Sequence, residues 1–282
     1  MRQILHISDV HFGPKHVPEV AAGVLSFLDE RRPDLVVVSG DLTQRAKPWQ
    51  FREARAWVDR FPVPSVVVPG NHDVPLYRVW ERIFIPFGAY RRWFSRELEP
   101  VHRDDELLVV GVNTAHGWTF KDGRIGLRRL AQLEKLLAAT PESVLKVVVA
   151  HHHLIAPPAF DSQRVATHAR QALEVFARTG VDLVLSGHQH ISYIGSSEDF
   201  YPRGLPPVVI VHTGTTTSNR GRGSEQFTNT CNWIVADGGT ISVSCLRWDP
   251  AASCFREHSR HVYPRQERQP YGLEGLTATL EP

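Results

Sequence analysis

Short runs of branched apolar residues alternate with stretches of helical period along the first two thirds of the chain. Residues 4–7 (ILHI) read as a strand. Val17, Val20, Ala21, Val24, Leu25 and Leu28 then fall at i, i+3, i+4, i+7, i+8 and i+11, one face of a helix. The run DLVVVSG (34–40) predicts a second strand, WQFREARAWVDRF (49–61) a helix and SVVV (65–68) a third strand. The unit is β-α-β-α-β, with parallel strands buried on both faces. Residues 74–100 read as a helical, aromatic-rich cap, ELLVVGVN (106–113) as a strand, and Leu127, Leu130, Leu133 and Leu136 as one face of a helix. VLKVVVA (144–150), a helix over about 166–179 and VDLVLSG (181–187) make a further β-α-β unit. Beyond residue 190 the runs VVIVHTG (208–214), CNWIVADG (231–238) and TISVSCLRW (240–248), parted by turn residues, predict an antiparallel second sheet. No linker or repeat separates the halves. One two-sheet domain over 1–263, followed by a polar tail over 264–282, is expected.

Polar residues cluster where the predicted strands stop. The first ends at SDVH (Asp9, His11), the second at GDLTQR (Asp41), the third at GNHD (Asn71, His72), a later one at AHHH (His151) and the next at GHQH (His188, His190). Ligand sites of parallel sheets form at that carboxyl edge, where loops leave the backbone accessible. Glycines 40, 70 and 187 are expected to let the chain turn just before each polar side chain. A DxH pair alone, or one buried histidine, is weak evidence. Recurrence at five strand ends of residue types that suit a divalent transition metal is strong evidence.

Bulk composition narrows the partners. Lys and Arg number 32 against 30 Asp and Glu, for a net charge of +2, and no basic stripe is evident, so no DNA or RNA is expected. The 15 histidines are numerous for 282 residues, which favours metal. Cys231, Cys245 and Cys254 form no CxxC pair, against a disulfide framework and a structural zinc site. The opening MRQILHISDVH is too short for a signal-peptide core, and no stretch approaches about 18 apolar residues, so no membrane span and a cytoplasmic location are expected.

The order DxH, GD, GNHD, H, GHxH resembles that of the calcineurin-like metallophosphoesterases, and spans residues 9 to 190. With NTAHG (113–117) and HTGTTTSNRGRG (212–223), the chain is most similar to the bacterial class III cyclic-nucleotide phosphodiesterases. The resemblance implies an α/β fold, a four-layer αββα sandwich of two mixed β-sheets flanked by helices, with the metal site at the strand C-terminal edge. It implies two divalent metal ions (Mn, Fe or Zn). Asp9, His11, Asp41 and His190 would hold one, and Asp41, Asn71, His151 and His188 the other, with Asp41 bridging. Within HHH, His151 is chosen because it follows the strand directly, and alternation turns His152 inward, behind the ligands. Two such ions, two carboxylates and a bridging hydroxide leave roughly +1, a charge that attracts a phosphodiester anion. The implied reaction is attack of that hydroxide on a small phosphodiester substrate, a cyclic nucleotide or glycerophosphodiester. His72 would face the phosphate to stabilise its oxygens or protonate the leaving group, with Asp73 orienting it.

Weaker signals complete the picture. Segment 78–98 interleaves Trp80, Phe84, Phe87, Tyr90, Trp93 and Phe94 with arginines. It suits a packed cap, a homodimer contact or a lid over the metals. Arg45, His116, Arg220 and Arg222 lie in loops that could reach phosphate; Arg45 and His116 are ranked as substrate contacts, and no further cationic clamp is obvious. Hydrolysis of a lipid-linked nucleotide pyrophosphate, as in lipid A precursor hydrolases, is the alternative activity. A non-catalytic scaffold is the non-enzyme alternative, and it conflicts with a complete ligand set. Gln44 stands where purple acid phosphatases carry a tyrosine, so no tyrosinate-to-iron colour is expected.

Overall fold

The computed structural model describes residues 1–157, 164–201 and 206–265. Two six-stranded mixed sheets lie face to face between helices. In the first sheet β1 (Arg2–Ile7), β2 (Leu35–Val38) and β3 (Ser65–Val67) run parallel. On the other side of β1 come β10 (Thr230–Asp237), β11 (Thr240–Asp249) and β12 (Cys254–Pro264), all antiparallel. The second sheet has the order β4 (Val101–Arg103), β5 (Leu107–Val112), β6 (Leu145–Ala150), β7 (Leu183–Ser186), β9 (Val209–His212), β8 (Tyr193–Ser196), with β5, β6, β7 and β9 parallel.

Strand periodicity explains the layers. Leu5 and Ile7 of β1 pack outward against helices α1 (Pro18–Arg31) and α2 (Pro48–Val58), while Ile4 faces the second sheet. In β5, Leu108 and Val110 meet α5 (Leu127–Ala138) and α6 (Ala169–Arg178), and Leu107 and Val109 face the first sheet. Alternate side chains point to opposite faces, so strands apolar at every position must be covered twice. The expected αββα sandwich is present. The strands beyond residue 190 do not form a sheet of their own, however. β9 joins the second sheet beside β7, and β10 to β12 extend the first, because β1 and β7 each have an edge free to pair.

The aromatic segment is less helical than expected. It holds two short helices, α3 (Val79–Phe84) and α4 (Gly88–Trp93), with Pro86 between them. Proline disfavours helical geometry in the residue before it. Phe87, Tyr90 and Phe94 are buried in the core, with the Tyr90 hydroxyl donating to the Val67 carbonyl at 3.3 Å. Trp80 and Phe84 stack on each other at the surface, 76% and 68% exposed. No helix among the described residues is long and apolar enough to cross a membrane.

Candidate metal centre

The carboxyl edges of the two sheets meet at one place. Loops after β1, β2 and β3 bring Asp9, His11, Asp41, Asn71 and His72; loops after β6 and β7 bring His151, His188 and His190. Bonds across the sheets lock the edges together. The His188 backbone N–H donates to Asp9 Oδ2 at 2.9 Å, and His151 Nδ1–H to the Ser39 carbonyl at 2.8 Å. The glycines divide by role. Gly40 alone of the three has positive φ (103°), whereas a Cβ at Gly70 would run into Asp41 and one at Gly187 into Ser8 and Asp9. Gly70 and Gly187 therefore serve close approach rather than a sharp turn.

Five of the seven expected ligands have left-handed backbone: Asp9 (φ 53°), His11 (47°), Asp41 (53°), His188 (74°) and His190 (58°). Each such residue costs about 1–2 kcal/mol, tolerated better by Asp than by His. The strain turns successive side chains toward one point.

Hydrogen bonds fix which ring nitrogen faces that point. His11 Nδ1 lies 3.3 Å from the Thr43 carbonyl and His190 Nδ1 lies 2.6 Å from that of Arg220, alongside the His151–Ser39 bond. A carbonyl only accepts, so each Nδ1 carries the proton and each Nε2 presents a lone pair. His11 Nε2 is 3.2 Å from His190 Nε2 and 3.6 Å from both Asp9 Oδ1 and Asp41 Oδ2. His151 Nε2 is 3.2 Å from Asn71 Oδ1 and 3.3 Å from Asp41 Oδ1. Asp9 Oδ1 and Asp41 Oδ2 are buried and receive no hydrogen bond. Lone pairs and carboxylate oxygens converging without donors repel one another unless a cation lies between them. Ligand atoms of Asp9, His11, Asp41 and His190 lie within 4.8 Å of one another, and those of His151, His152 and His188 form a second such group. The first group fits a divalent cation, and at the second place His151 and His188 do so with Asn71 Oδ1 and Asp41 Oδ1 beside them.

Electrostatics agree for His11 and His188, whereas against the pull of burial the Asp41 carboxylate raises His151 to about 9, so its Nε2 lone pair is freed when a cation takes the proton's place. Burial pushes the Asp9 and Asp41 carboxyls up, but His190 beside Asp9 and His151 beside Asp41 hold both well below the usual range. Burial brings His11 down to about 3 and holds His188 well below its ordinary value. The open side of the site is a cleft of about 670 Å³ lined by Arg45, Lys121, Arg164, Arg220 and Arg222 beside His72.

Three expectations change here. Asp73 does not orient His72. Its carboxylate accepts from the N–H groups of Leu42, Thr43 and Gly70 and from the Thr43 hydroxyl, clamping the Asp41 loop to the Asn71 turn. Burial pushes that carboxyl up, to about 7. The Gln44 carbonyl, 2.9 Å from His72 Nδ1, orients the ring instead. His116 does not line the cleft; its Nε2 meets the Arg124 carbonyl at 3.0 Å, because the loop carrying it folds back on residues 123–124. The cleft is also far more cationic than Arg45 alone implied. Arg45 Nη1 lies 3.1 Å from His72 Nδ1 and Arg220 Nη2 3.3 Å from His72 Nε2. Burial, aided by both arginines, lowers the pKa of His72. Sequence reasoning missed Lys121, Arg164 and His152 as cleft residues, since isolated basic residues in loops carry no periodic signal.

A two-sheet sandwich with paired Asp/His/Asn clusters at its carboxyl edge, opening into a basic cleft, defines a metallophosphoesterase. The chain belongs to the calcineurin-like phosphoesterase family, whose model matches residues 2–192. A probable cyclic nucleotide phosphodiesterase of Synechococcus is 31% identical over 177 residues, 62% of this chain and 64% of that protein. The 3′,5′-cyclic adenosine monophosphate phosphodiesterase CpdA of Escherichia coli is 29% identical over 203 residues, covering 67% of this chain and 69% of that one. The match to the Synechococcus protein thus spans less than two thirds of its length. Among solved structures, purple acid phosphatase PPD1 of yellow lupin superposes with a TM-score of 0.73 at 13% identity, covering 94% of this chain and 54% of that one, which shows a shared fold.

Proposed function

We propose that the protein hydrolyses phosphodiester bonds of a small substrate, of the cyclic nucleotide or glycerophosphodiester type. The observation that carries this is the pair of buried, donor-free carboxylate oxygens of Asp9 and Asp41 facing imidazole lone pairs beneath a basic cleft. Asp9, His11, Asp41 and His190 would hold one divalent ion, and Asp41, Asn71, His151 and His188 the second. Ions held there supply Lewis acidity that ionises water near neutral pH and neutralises phosphoryl charge.

The remaining residues bind and move protons. Arg45 and Arg220 flank His72 and offer guanidinium donors to phosphate. With its Nδ1–H held by Gln44, His72 takes and gives its second proton at Nε2, the atom nearest Arg220. Asp73 supports both loops from below. The apolar layer shared by the sheets supports a single domain over 1–263; residues 266–282 of the expected tail lie outside the described residues. The cysteines Cys231, Cys245 and Cys254 are free, which supports a reducing, cytoplasmic setting.

The relatives' names favour diesters, and the cleft's charge gives weight to a second reading. Four arginines and a lysine, offset in part by Asp122 beside Arg164, suit the extra charge of a pyrophosphate, and Phe120 gives the cleft an apolar wall. The test is a substrate panel on protein reconstituted with Mn, Fe or Zn, covering cyclic nucleotides, glycerophosphodiesters, bis(p-nitrophenyl) phosphate, p-nitrophenyl phosphate and a lipid-linked nucleotide pyrophosphate. Diesters should show the highest kcat/KM. A monoester advantage of about tenfold or more would reject the reading, and a pyrophosphate advantage would select the second.

A further inference from the structure

His152 stands among the ligands with a different hydrogen-bond environment. Its Nδ1 lies 2.7 Å from the Thr114 hydroxyl, not from a carbonyl. That hydroxyl already accepts the His152 backbone N–H at 3.2 Å. Among the described residues the acceptor found for its own proton is His152 Nδ1. Nδ1 therefore accepts, and the ring proton sits on Nε2. This is the reverse of His11, His151 and His190, whose Nδ1 atoms donate to carbonyls. The side chain is buried (2% exposed), and Nε2 has no hydrogen-bond partner among the described residues. Yet the residue lines the cleft, with its ring centroid 4.6 Å from that of His188. Gly123 packs so closely that a Cβ there would strike the ring, which fixes its direction. A buried, fixed N–H without an acceptor, on the wall of an anion cleft, is built for an oxygen that arrives with the ligand.

We propose that His152 is a catalytic residue whose Nε2–H donates to a phosphoryl oxygen of the substrate, with Thr114 a positioning residue that sets its tautomer. The inference rests on the phosphoester reading above. It also gives the NTAHG motif a physical role, since Thr114 is that motif's hydroxyl.

The test uses full-length protein loaded with metal, with inorganic phosphate as the calorimetric probe and kcat as a separate readout. His152→Ala should weaken phosphate binding by about tenfold or more and lower kcat by about 10²–10³-fold, with metal content equal to wild type. His152→Gln, which places an amide N–H near the position of Nε2, should recover much of both. Thr114→Val should lose phosphate affinity in the same direction, and Thr114→Ser should stay above it. Loss of a metal equivalent in His152→Ala would make His152 a ligand and overturn the proposal. So would unchanged phosphate binding, or a Gln variant no better than Ala. If His152→Ala does not fold, the Thr114→Val and Thr114→Ser pair decides by the same criteria. Phosphate binding that depends on His152 in a protein inactive on every diester would retire the proposed function and leave this inference standing.

Discussion

Asp41 stands between the two groups of proposed ligands. Its Oδ1 accepts the His72 backbone N–H at 2.8 Å and approaches His151, while Oδ2 faces His11. Asp41→Asn keeps the shape and removes the charge that both proposed ions share. Metal content should fall below two equivalents, and the loss of affinity should exceed the about 10–100-fold typical of residues that only support a ligand. Near wild-type metal content and turnover would show that Asp41 does not bridge. His72→Ala should keep its metals, because Asn71 and not His72 is the proposed ligand. It should lose about 10²–10⁴-fold on a cyclic nucleotide, whose alkoxide needs a proton, and less on bis(p-nitrophenyl) phosphate, whose phenolate does not. Equal losses on both would assign His72 to charge stabilisation alone. At this scale the sequence revealed residue types and order, because Asp9, His11, Asp41 and their partners each follow a strand directly. It did not reveal directions. Asp73 and His116 were misjudged because which neighbour a loop side chain meets depends on how distant segments fold back.

Elements whose packing is two-sided were legible, and edge elements were not. β5 and β6 are buried at every position and stand out as apolar runs. β12 is an outer strand exposed at most positions, Arg256, Glu257, His258 and Arg260 among them, so neither an apolar run nor clean alternation marks it. α1 offers a test of how tightly the layers fit. Gly23 lies in that helix, and a Cβ there would collide with the Trp248 ring of β11. Alanine favours a helix over glycine by about 1 kcal/mol, whereas overpacking costs about 1–3 kcal/mol. Gly23→Ala should therefore lower stability on balance, seen as an earlier midpoint in urea. A later midpoint would mean that the indole can move aside.

The whole molecule holds two sheets together at one edge through groups that repel unless a cation is present. Cations that bind only the folded chain stabilise it by about 2.7 kcal/mol per site at a hundredfold excess over Kd. Removing metal with a chelator should lower the thermal midpoint, and adding Mn or Zn should restore it, with Asp41→Asn responding less. A midpoint indifferent to chelation would argue against tightly held ions. The global pairing of strands was the part of the fold hardest to foresee. β9 and β10 follow one another along the chain, yet β9 pairs with β7 in one sheet and β10 with β1 in the other.

The left-handed conformations at Asp9, His11, Asp41, His188 and His190 also bear on how this chain can change under selection. Glycine adopts that backbone freely and asparagine tolerates it. A library screened for heat resistance with chelator present, where no ion adds stability, would be drawn toward those residues at these five positions, and each success would remove a proposed metal ligand. Thermal selection on this scaffold would discard its chemistry first, unless every round also scored turnover.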